Sequence, residues 1–310
     1  MTPLAAVTAT ENNFAPLTCG LLASLRAHHP DLPIVVLDLG MDADIRDHMI
    51  NRFGVRIVVP DWHLDPAIIA HWDLQPWWKA LLSRPHLPMY CEAETVFWID
   101  ADAWVTGPEA LNGFLQALQD PGAQFVGVPQ FDRCYADRFG QHALEGMLMM
   151  RQIYGQFLSD EDALIQAVAD CVNGGAFCGP SSSPVWAAWN QHMTARFERC
   201  TADNRGLAPL IEQVSLNEVL CQQPDGAVRL LPSRYNWLVG RAAPMLDPDS
   251  GLLLEPQPPH DPIHIIHLVQ HGTDAASKST PLSLPLRGGG RREVSLTYDG
   301  FTGLEPFPIK

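Results

Sequence analysis

Two carboxylates, Asp100 and Asp102, close the apolar run Val96-Phe97-Trp98-Ile99. Side chains alternate along an extended backbone, so an i, i+2 pair that continues the run projects to one side. Adjacent carboxylates repel each other and are costly beside an apolar strand unless a cation sits between them. The chemistry this spacing suits is therefore divalent-metal binding at a strand tip. A turn or helix cap is the plainer reading, since a D-x-D triplet often arises by chance. The strand ahead of Asp100 and the helical pattern after Pro108 favour the metal.

Overall charge gives such an ion a purpose. Thirty-five acidic residues against 20 basic ones leave a formal charge of −15 on 310 residues. That balance repels nucleic acid and anionic lipid as bulk partners, and it repels a phosphorylated small molecule unless a cation or a few arginines reverse the sign locally. Histidine is the second candidate ligand type. In Ile263-His264-Ile265-Ile266-His267-Leu268, positions 264 and 267 lie on opposite faces of a regular strand, so only one can reach a given site. For the same reason a zinc hydrolase built on His264, His267 and His271 is disfavoured.

The elements that must position these groups follow from periodicity. Leu4 to Thr8, Ile34 to Leu39, Val55 to Val59, Thr95 to Ile99, Gln124 to Val128, Ala176 to Cys178 and Ile263 to Val269 read as strands. Between them, helical spacing marks 14 to 28, Asp42 to Phe53, Pro76 to Ser83, Pro108 to Leu118, much of 133 to 170, Ala187 to Arg199 and Leu210 to Gln222. The cluster Met147-Leu148-Met149-Met150 reads as core packing at helical spacing rather than an acceptor grip. Continuous apolar strands joined by helices imply an α/β fold, with a mostly parallel sheet covered on both faces and binding loops at the carboxyl ends. The predicted organisation is one domain over 1–279 with a decorated C-terminal third, then a Gly/Pro-rich tail over 280–310 packed on or near the site. No apolar stretch approaches the roughly 18 residues a membrane span needs. Met1 to Thr10 has no basic leader, and seven cysteines without a C-x-x-C pair read as reduced thiols. A cytoplasmic protein is expected.

Several segments, taken in order, resemble a known family. Ile99-Asp100-Ala101-Asp102 resembles the D-x-D motif of GT-A glycosyltransferases, in particular the retaining enzymes of glycosyltransferase family 8, the bacterial lipopolysaccharide galactosyl- and glucosyltransferases. Ala9-Thr10-Glu11-Asn12-Asn13-Phe14-Ala15 is similar to the family's opening A-A-D-x-N-Y-A loop. Asn173-Gly174-Gly175-Ala176 resembles N-A-G-V, and Glu212-Gln213-Val214-Ser215-Leu216-Asn217 resembles D-Q-D-x-L-N. Leu231-Pro232-Ser233-Arg234-Tyr235-Asn236-Trp237 is similar to L-P-x-x-Y-N, and Ile265-Ile266-His267 to I-I-H. Each piece alone is common; their shared order over most of the chain makes the ensemble specific.

The resemblance implies a Rossmann-like GT-A fold and a divalent-metal-dependent transferase. It would move a hexose from a nucleotide sugar, a UDP-sugar, to a glycan, lipid-linked or other hydroxyl acceptor with retention, in the cytoplasm or peripheral to the inner membrane. Asp100, Asp102 and His267 become the metal ligands, with Mn2+ preferred over Mg2+ because one ligand is nitrogen. Ala9 and Phe14 line the base, while Glu11 and Asn13 bond uracil and ribose; Asn12-Asn13 as a cap for the following helix is compatible with that. Ala101 joins the donor site with its aspartate neighbours. Asn173 contacts sugar hydroxyls, with Gly174 and Gly175 permitting close approach. Glu212 and Gln213 lie at the anomeric carbon. Glu212 acts there as nucleophile or as a charge stabilising an oxocarbenium-like state, and Gln213 orients through its amide. At a helix start, Glu212 is also favoured by the macrodipole alone.

The sequence departs from the family at four points. Glu11 replaces Asp, Val214 replaces a second Asp, Gly272 comes five residues after His267, and no K-P-W follows. His271 is for that reason a competing ligand. A basic group should still meet the leaving phosphate. Lys278 is the nearest, Arg287, Arg291 and Arg292 are a second choice, and Lys79 matches a basic position on the helix before the D-x-D strand. Two other functions stay open: a sugar-phosphate nucleotidyltransferase, against which Thr8 to Phe14 lacks glycine and lysine, and a nucleotide-sugar binding protein with a degenerate site.

Overall fold

A computed structural model describes residues 2–135, 140–169, 171–199 and 208–304. The first third alternates β1 (Thr2–Thr10), α1 (Ala15–His28), β2 (Ile34–Asp38), α2 (Ala43–Phe53) and β3 (Arg56–Val58), then three short helices, α3 (Pro66–Trp72), α4 (Trp78–Ser83) and α5 (Leu87–Tyr90). The middle holds β4 (Ala93–Ile99), β5 (Ala103–Val105), α6 (Glu109–Leu118), β6 (Phe125–Pro129), α7 (Gly140–Tyr154), α8 (Asp160–Val168), β7 (Val172–Pro180), α9 (Pro184–Arg199) and α10 (Ile211–Cys221). The last third is built from short pieces: β8 (Val228–Leu230), β9 (Trp237–Leu238), β10 (Met245–Leu246), β11 (Leu253–Leu254), β12 (Ile265–His267), α11 (Ala275–Lys278), β13 (Leu282–Pro285), β14 (Arg291–Val294) and α12 (Tyr298–Thr302).

Seven strands form one sheet in the order β3-β2-β1-β4-β7-β6-β8. All neighbours pair in parallel except β7, which runs antiparallel to both β4 and β6. The mostly parallel, doubly covered sheet expected from the continuous apolar runs is what forms. Along β1 the burial splits by parity, as a strand covered on two sides requires. Ala5, Val7 and Ala9 join one core with Trp98, Phe177, Trp189 and Ile211, under α4, α5, α9 and α10. Leu4 and Ala6 join the other with Phe97, Leu21, Met49 and Phe114, under α1, α2 and α6. Helix ends follow local chemistry. α1 stops at His29 ahead of Pro30, and α2 stops at Gly54, whose φ of 59° is the left-handed conformation that glycine adopts without a Cβ penalty.

Two irregularities shape the functional end. Between β6 and β7 the register jumps from Gly127↔Phe177 to Val128↔Asn173, so Gly174 and Gly175 fall out of that ladder beside the end of β4. Bulges of this kind re-aim backbone next to sites. A second sheet, β5-β12-β9, sits over the end of β4 with its own core of Trp104, Trp237, Ile266 and Leu284. The region read as a Gly/Pro-rich tail contains the β13–β14 hairpin, turned through Gly288, Gly289 and Gly290, all at positive φ. Met150 is buried in a small core with Tyr154 and Val214, whereas Leu148 and Met149 are exposed. The helical reading of 133–170 spans α7 and α8; residues 136–139 and 170 lie outside the described residues.

Candidate metal and nucleotide-sugar site

β4 ends at Ile99, and the chain turns at once. The Asp100 N–H donates to Gly175 O (2.9 Å), and the Ala103 N–H donates back to Asp100 O (3.0 Å). Strand alternation is therefore not what brings the two aspartates together; a tight turn does, and β5 begins on its far side. β5 then pairs antiparallel with β12, with His267 opposite Ala103. That register sets the imidazole over the turn. His267 Nε2 lies 3.3 Å from Asp102 Oδ1 and 3.6 Å from Asp100 Oδ2. One ligand atom from each of the three residues falls within 4.8 Å of the others. Of the other two histidines, His264 packs on the Tyr235 ring with centroids 4.6 Å apart, and His271 bonds Thr280 O; neither joins the cluster.

The imidazole is oriented from behind. Its Nδ1 is 2.9 Å from Asn236 Oδ1, and that carbonyl can only accept, so Nδ1 carries a proton and Nε2 is turned to the two carboxylates. Asn236 Nδ2 donates in turn to Asn173 Oδ1 (3.0 Å), which also accepts the Gly175 N–H (2.9 Å). Gly175 is glycine for a spatial reason. A Cβ there would lie 2.3 Å from His267 Cε1, and a Cβ on Gly174 would lie 2.7 Å from an Arg84 nitrogen.

Two fixed cations flank the couplet. Arg84 Nη2 contacts Asp100 Oδ1 at 2.6 Å and its Nη1 contacts Glu212 Oε2 at 2.9 Å, while the guanidinium lies over Trp98, 5.0 Å from the ring centroid. Trp98 Nε1 donates to the same Asp100 oxygen (2.8 Å). Lys278 Nζ meets Asp102 Oδ2 at 2.9 Å. Burial acts against the charge on Asp102, yet His267 and Lys278 outweigh it and hold that carboxyl well below the usual range. Burial likewise opposes charge on Arg84, and Asp100 and Glu212 more than offset it. For Glu212, burial wins over Arg84 and raises the carboxyl, whose Oε1 is buried without a hydrogen-bond partner among the described residues. Three carboxylates against two cations leave the cluster one negative unit when His267 is neutral. A divalent ion would make that positive, the sign a diphosphate requires. An O, O, N donor set, with the imidazole turned so that Nε2 faces both carboxylates, fits such an ion.

The couplet forms the floor of a cleft of about 720 Å3. Ala9, Glu11, Asn13, Phe14 and Ala101 all line it beside Asp100 and Asp102, with Leu39, Gly40, Pro76 and Trp77 completing the walls. Asn13 Nδ2 donates to Glu11 Oε2 (3.2 Å). Neither Asn12 nor Asn13 caps α1; Asn12 Oδ1 instead accepts the Asp42 N–H at the start of α2 (2.8 Å). Asn173, Gly174 and Gly175 adjoin the floor through the backbone bond to Asp100. Glu212 reaches it through Arg84, from the first turn of α10. Gln213 commits its amide to Gln130 Oε1 (3.1 Å) and Cys171 Sγ (3.5 Å).

Other basic candidates make contacts of their own. Lys79 Nζ sits 5.2 Å above the Trp62 ring, Arg287 pairs with Asp247 at 3.3 Å, and Arg291 bonds Ser283. The cation that sequence reasoning passed over is Arg84, five residues beyond Lys79. The available signal was an arginine two residues after the apolar run Ala80-Leu81-Leu82, since a buried arginine is rare unless paired. Asn236 and Trp98 were visible inside their motifs, but nothing local marked them as supports.

No protein-family model and no curated protein matches the sequence. Solved structures do. The apo-form glycosyltransferase GlyE of Streptococcus pneumoniae TIGR4 superposes with a TM-score of 0.51 at 14% identity, over 89% of this chain and 59% of that one. Mouse xyloside xylosyltransferase 1, also apo, gives 0.50 at 11% identity, over 86% of this chain and 98% of that one. The galactosyltransferase LgtC, in complex with donor and acceptor sugar analogues, gives 0.48 at 17% identity over 85% and 86%. The likeness is one of architecture: the chain has the GT-A fold of GlyE and xyloside xylosyltransferase 1, with its aspartate–histidine cluster at the carboxyl end of the central strand β4.

Proposed function

We propose that this protein is a retaining, divalent-metal-dependent glycosyltransferase that moves a hexose from a UDP-sugar to a hydroxyl of a glycan or lipid-linked acceptor. The observation that carries the reading is the convergence of the buried His267 on Asp100 and Asp102, which line a cleft together with Glu11, Asn13 and Phe14. A bound Mn2+ or Mg2+ would supply Lewis-acid stabilisation of the departing nucleoside diphosphate. Asp100 Oδ2, Asp102 Oδ1 and His267 Nε2 would hold it. The Phe14 ring offers a stacking face for the base, with Glu11 and Asn13 to bond uracil and ribose. Asn173 serves the sugar hydroxyls, and Lys278 meets charge developing on the leaving phosphate. Glu212 has one oxygen spent on Arg84 and is desolvated, which favours electrostatic support of an oxocarbenium-like state over covalent attack. Gln213 steadies that end through its amide.

Residues 1–279 form the transferase unit in this reading. Within the 280–310 segment the described residues 280–304 brace it, as in the bond from Trp104 Nε1 to Leu296 O (2.7 Å). Among the described residues no helix is long and apolar enough to cross a membrane. The reading has the enzyme act in the cytoplasm or on the inner-membrane surface. The test is UDP-hexose hydrolysis in Mn2+, comparing wild type with Asp100→Asn and Asp102→Asn. Each variant should lose about 100-fold or more, the scale of removing one electrostatic stabiliser. Undiminished turnover in both would remove the mechanism, and UDP binding without any turnover in the wild type would make the protein a binder.

A further inference from the structure

The aspartates of the cleft floor do not stand as an open anionic pair. Each divides its oxygens, one facing His267 and the other occupied by a cation of the protein. The two cations differ in how they are held. Arg84 bridges Asp100 and Glu212 and stacks on Trp98, so three groups of the main body fix it. Lys278 ends the four-residue helix α11, between a turn at Gly272 with φ of 78° and the exposed Ser279-Thr280. Among the described residues its Nζ contacts Leu268 O, at 2.5 Å, besides Asp102. It is nonetheless buried, 4% exposed, so its charge acts on Asp102 with little screening.

We infer that Lys278 is a built-in counter-ion of Asp102 that competes with a divalent cation for the couplet, and that it yields when cation and diphosphate enter together. The inference rests on the nucleotide-sugar reading of the cleft for its second half only. An ammonium on one oxygen of a carboxylate draws off negative charge and repels any cation on the other oxygen. A bare ion therefore meets a half-neutralised site. A diphosphate changes the balance, because it offers Lys278, at the end of a four-residue helix, another anion to pair with. Metal and nucleotide would then raise each other's affinity by the same factor, as linkage demands.

The test is Mn2+ titration of the nucleotide-free protein, read by the electron paramagnetic resonance signal of unbound Mn2+. Wild type is compared with Lys278→Met, which keeps the stem without the charge, and with Lys278→Gln, which keeps a donor for Asp102 and Leu268 O. Melting curves establish that each variant is folded. Both neutral variants should bind Mn2+ about tenfold more tightly than wild type, and Lys278→Arg should not. UDP should raise Mn2+ affinity strongly in wild type and less in the neutral variants. Folded neutral variants that bind Mn2+ no more tightly than wild type overturn the inference. Failure of UDP to bind wild type in Mn2+ would instead sink the nucleotide-sugar reading, while the nucleotide-free comparison still decides the competition.

Discussion

Replacing Arg84 with methionine should cost more stability than any other single change at the cleft floor, and the cost should depend on pH in a defined direction. Arg84 is 6% exposed and Glu212 is 3% exposed. Their contact at 2.9 Å is the hydrogen bond that compensates the Glu212 carboxylate, whose other oxygen has no partner among the described residues. Methionine fills much of the stem volume but leaves that carboxylate buried and unpaired. Breaking a buried pair in this way costs about 3–5 kcal/mol, which for a chain of 310 residues lowers Tm by about 5–8 °C. Burial already raises the Glu212 carboxyl above its ordinary 4.5, and Arg84 opposes that rise. Without Arg84 the folded-state value climbs further. A carboxyl whose folded pKa is raised binds more protons folded than unfolded, so stability falls as pH rises from the unfolded value through the folded one. The gap between wild type and Arg84→Met should therefore be small near pH 4.5 and widen to its full size at neutral pH. Arg84→Lys should recover part of the loss, because an ammonium cannot fork between two carboxylates. Urea and thermal unfolding at pH 5 and 8 measure this. A loss below about 1 kcal/mol, the scale of an exposed pair, or one equal at both pH values, would refute the reasoning.

Two further changes test the support behind His267. Gly175→Ala places a Cβ 2.3 Å from a ring that Asn236 pins and burial confines, so it should cost about 1–3 kcal/mol in thermal unfolding and weaken Mn2+ binding at the same time. Normal Mn2+ affinity in that variant would show that the ring can step aside. Asn236→Ala removes the acceptor of the Nδ1 proton and should weaken Mn2+ binding by about 10–100-fold, with Asn236→Asp recovering most of it; equal affinities across the three proteins would mean that the ring needs no orienting.

The residues around β1, β2 and β4 were legible in the sequence because each strand is a continuous apolar run, buried on both faces. Such runs announce both their extent and the end at which loops gather. Asp100, Asp102 and the Glu11–Phe14 loop sit at those ends, so their placement in one cleft followed from local pattern. β9 to β12 have two or three residues each, too few to show a period, and they were missed or overdrawn. The hairpin in the last segment did carry a signal, three glycines between alternating Leu282, Leu284 and Val294, Leu296.

By itself, then, the sequence determined six of the seven strands of the main sheet, their carboxyl ends and the aspartate couplet, while the choice of His267 over His264 came from the family resemblance. The tertiary structure alone decided that β7 runs antiparallel, that a turn rather than strand alternation joins the aspartates, and that Arg84 pairs with Asp100 and Lys278 with Asp102. The physical reason is separation along the chain. Arg84 and Glu212 are 128 residues apart, and whether two such charges meet depends on how helices pack over the sheet. No local spacing encodes that, whereas an apolar strand ending in carboxylates is written in a dozen consecutive residues.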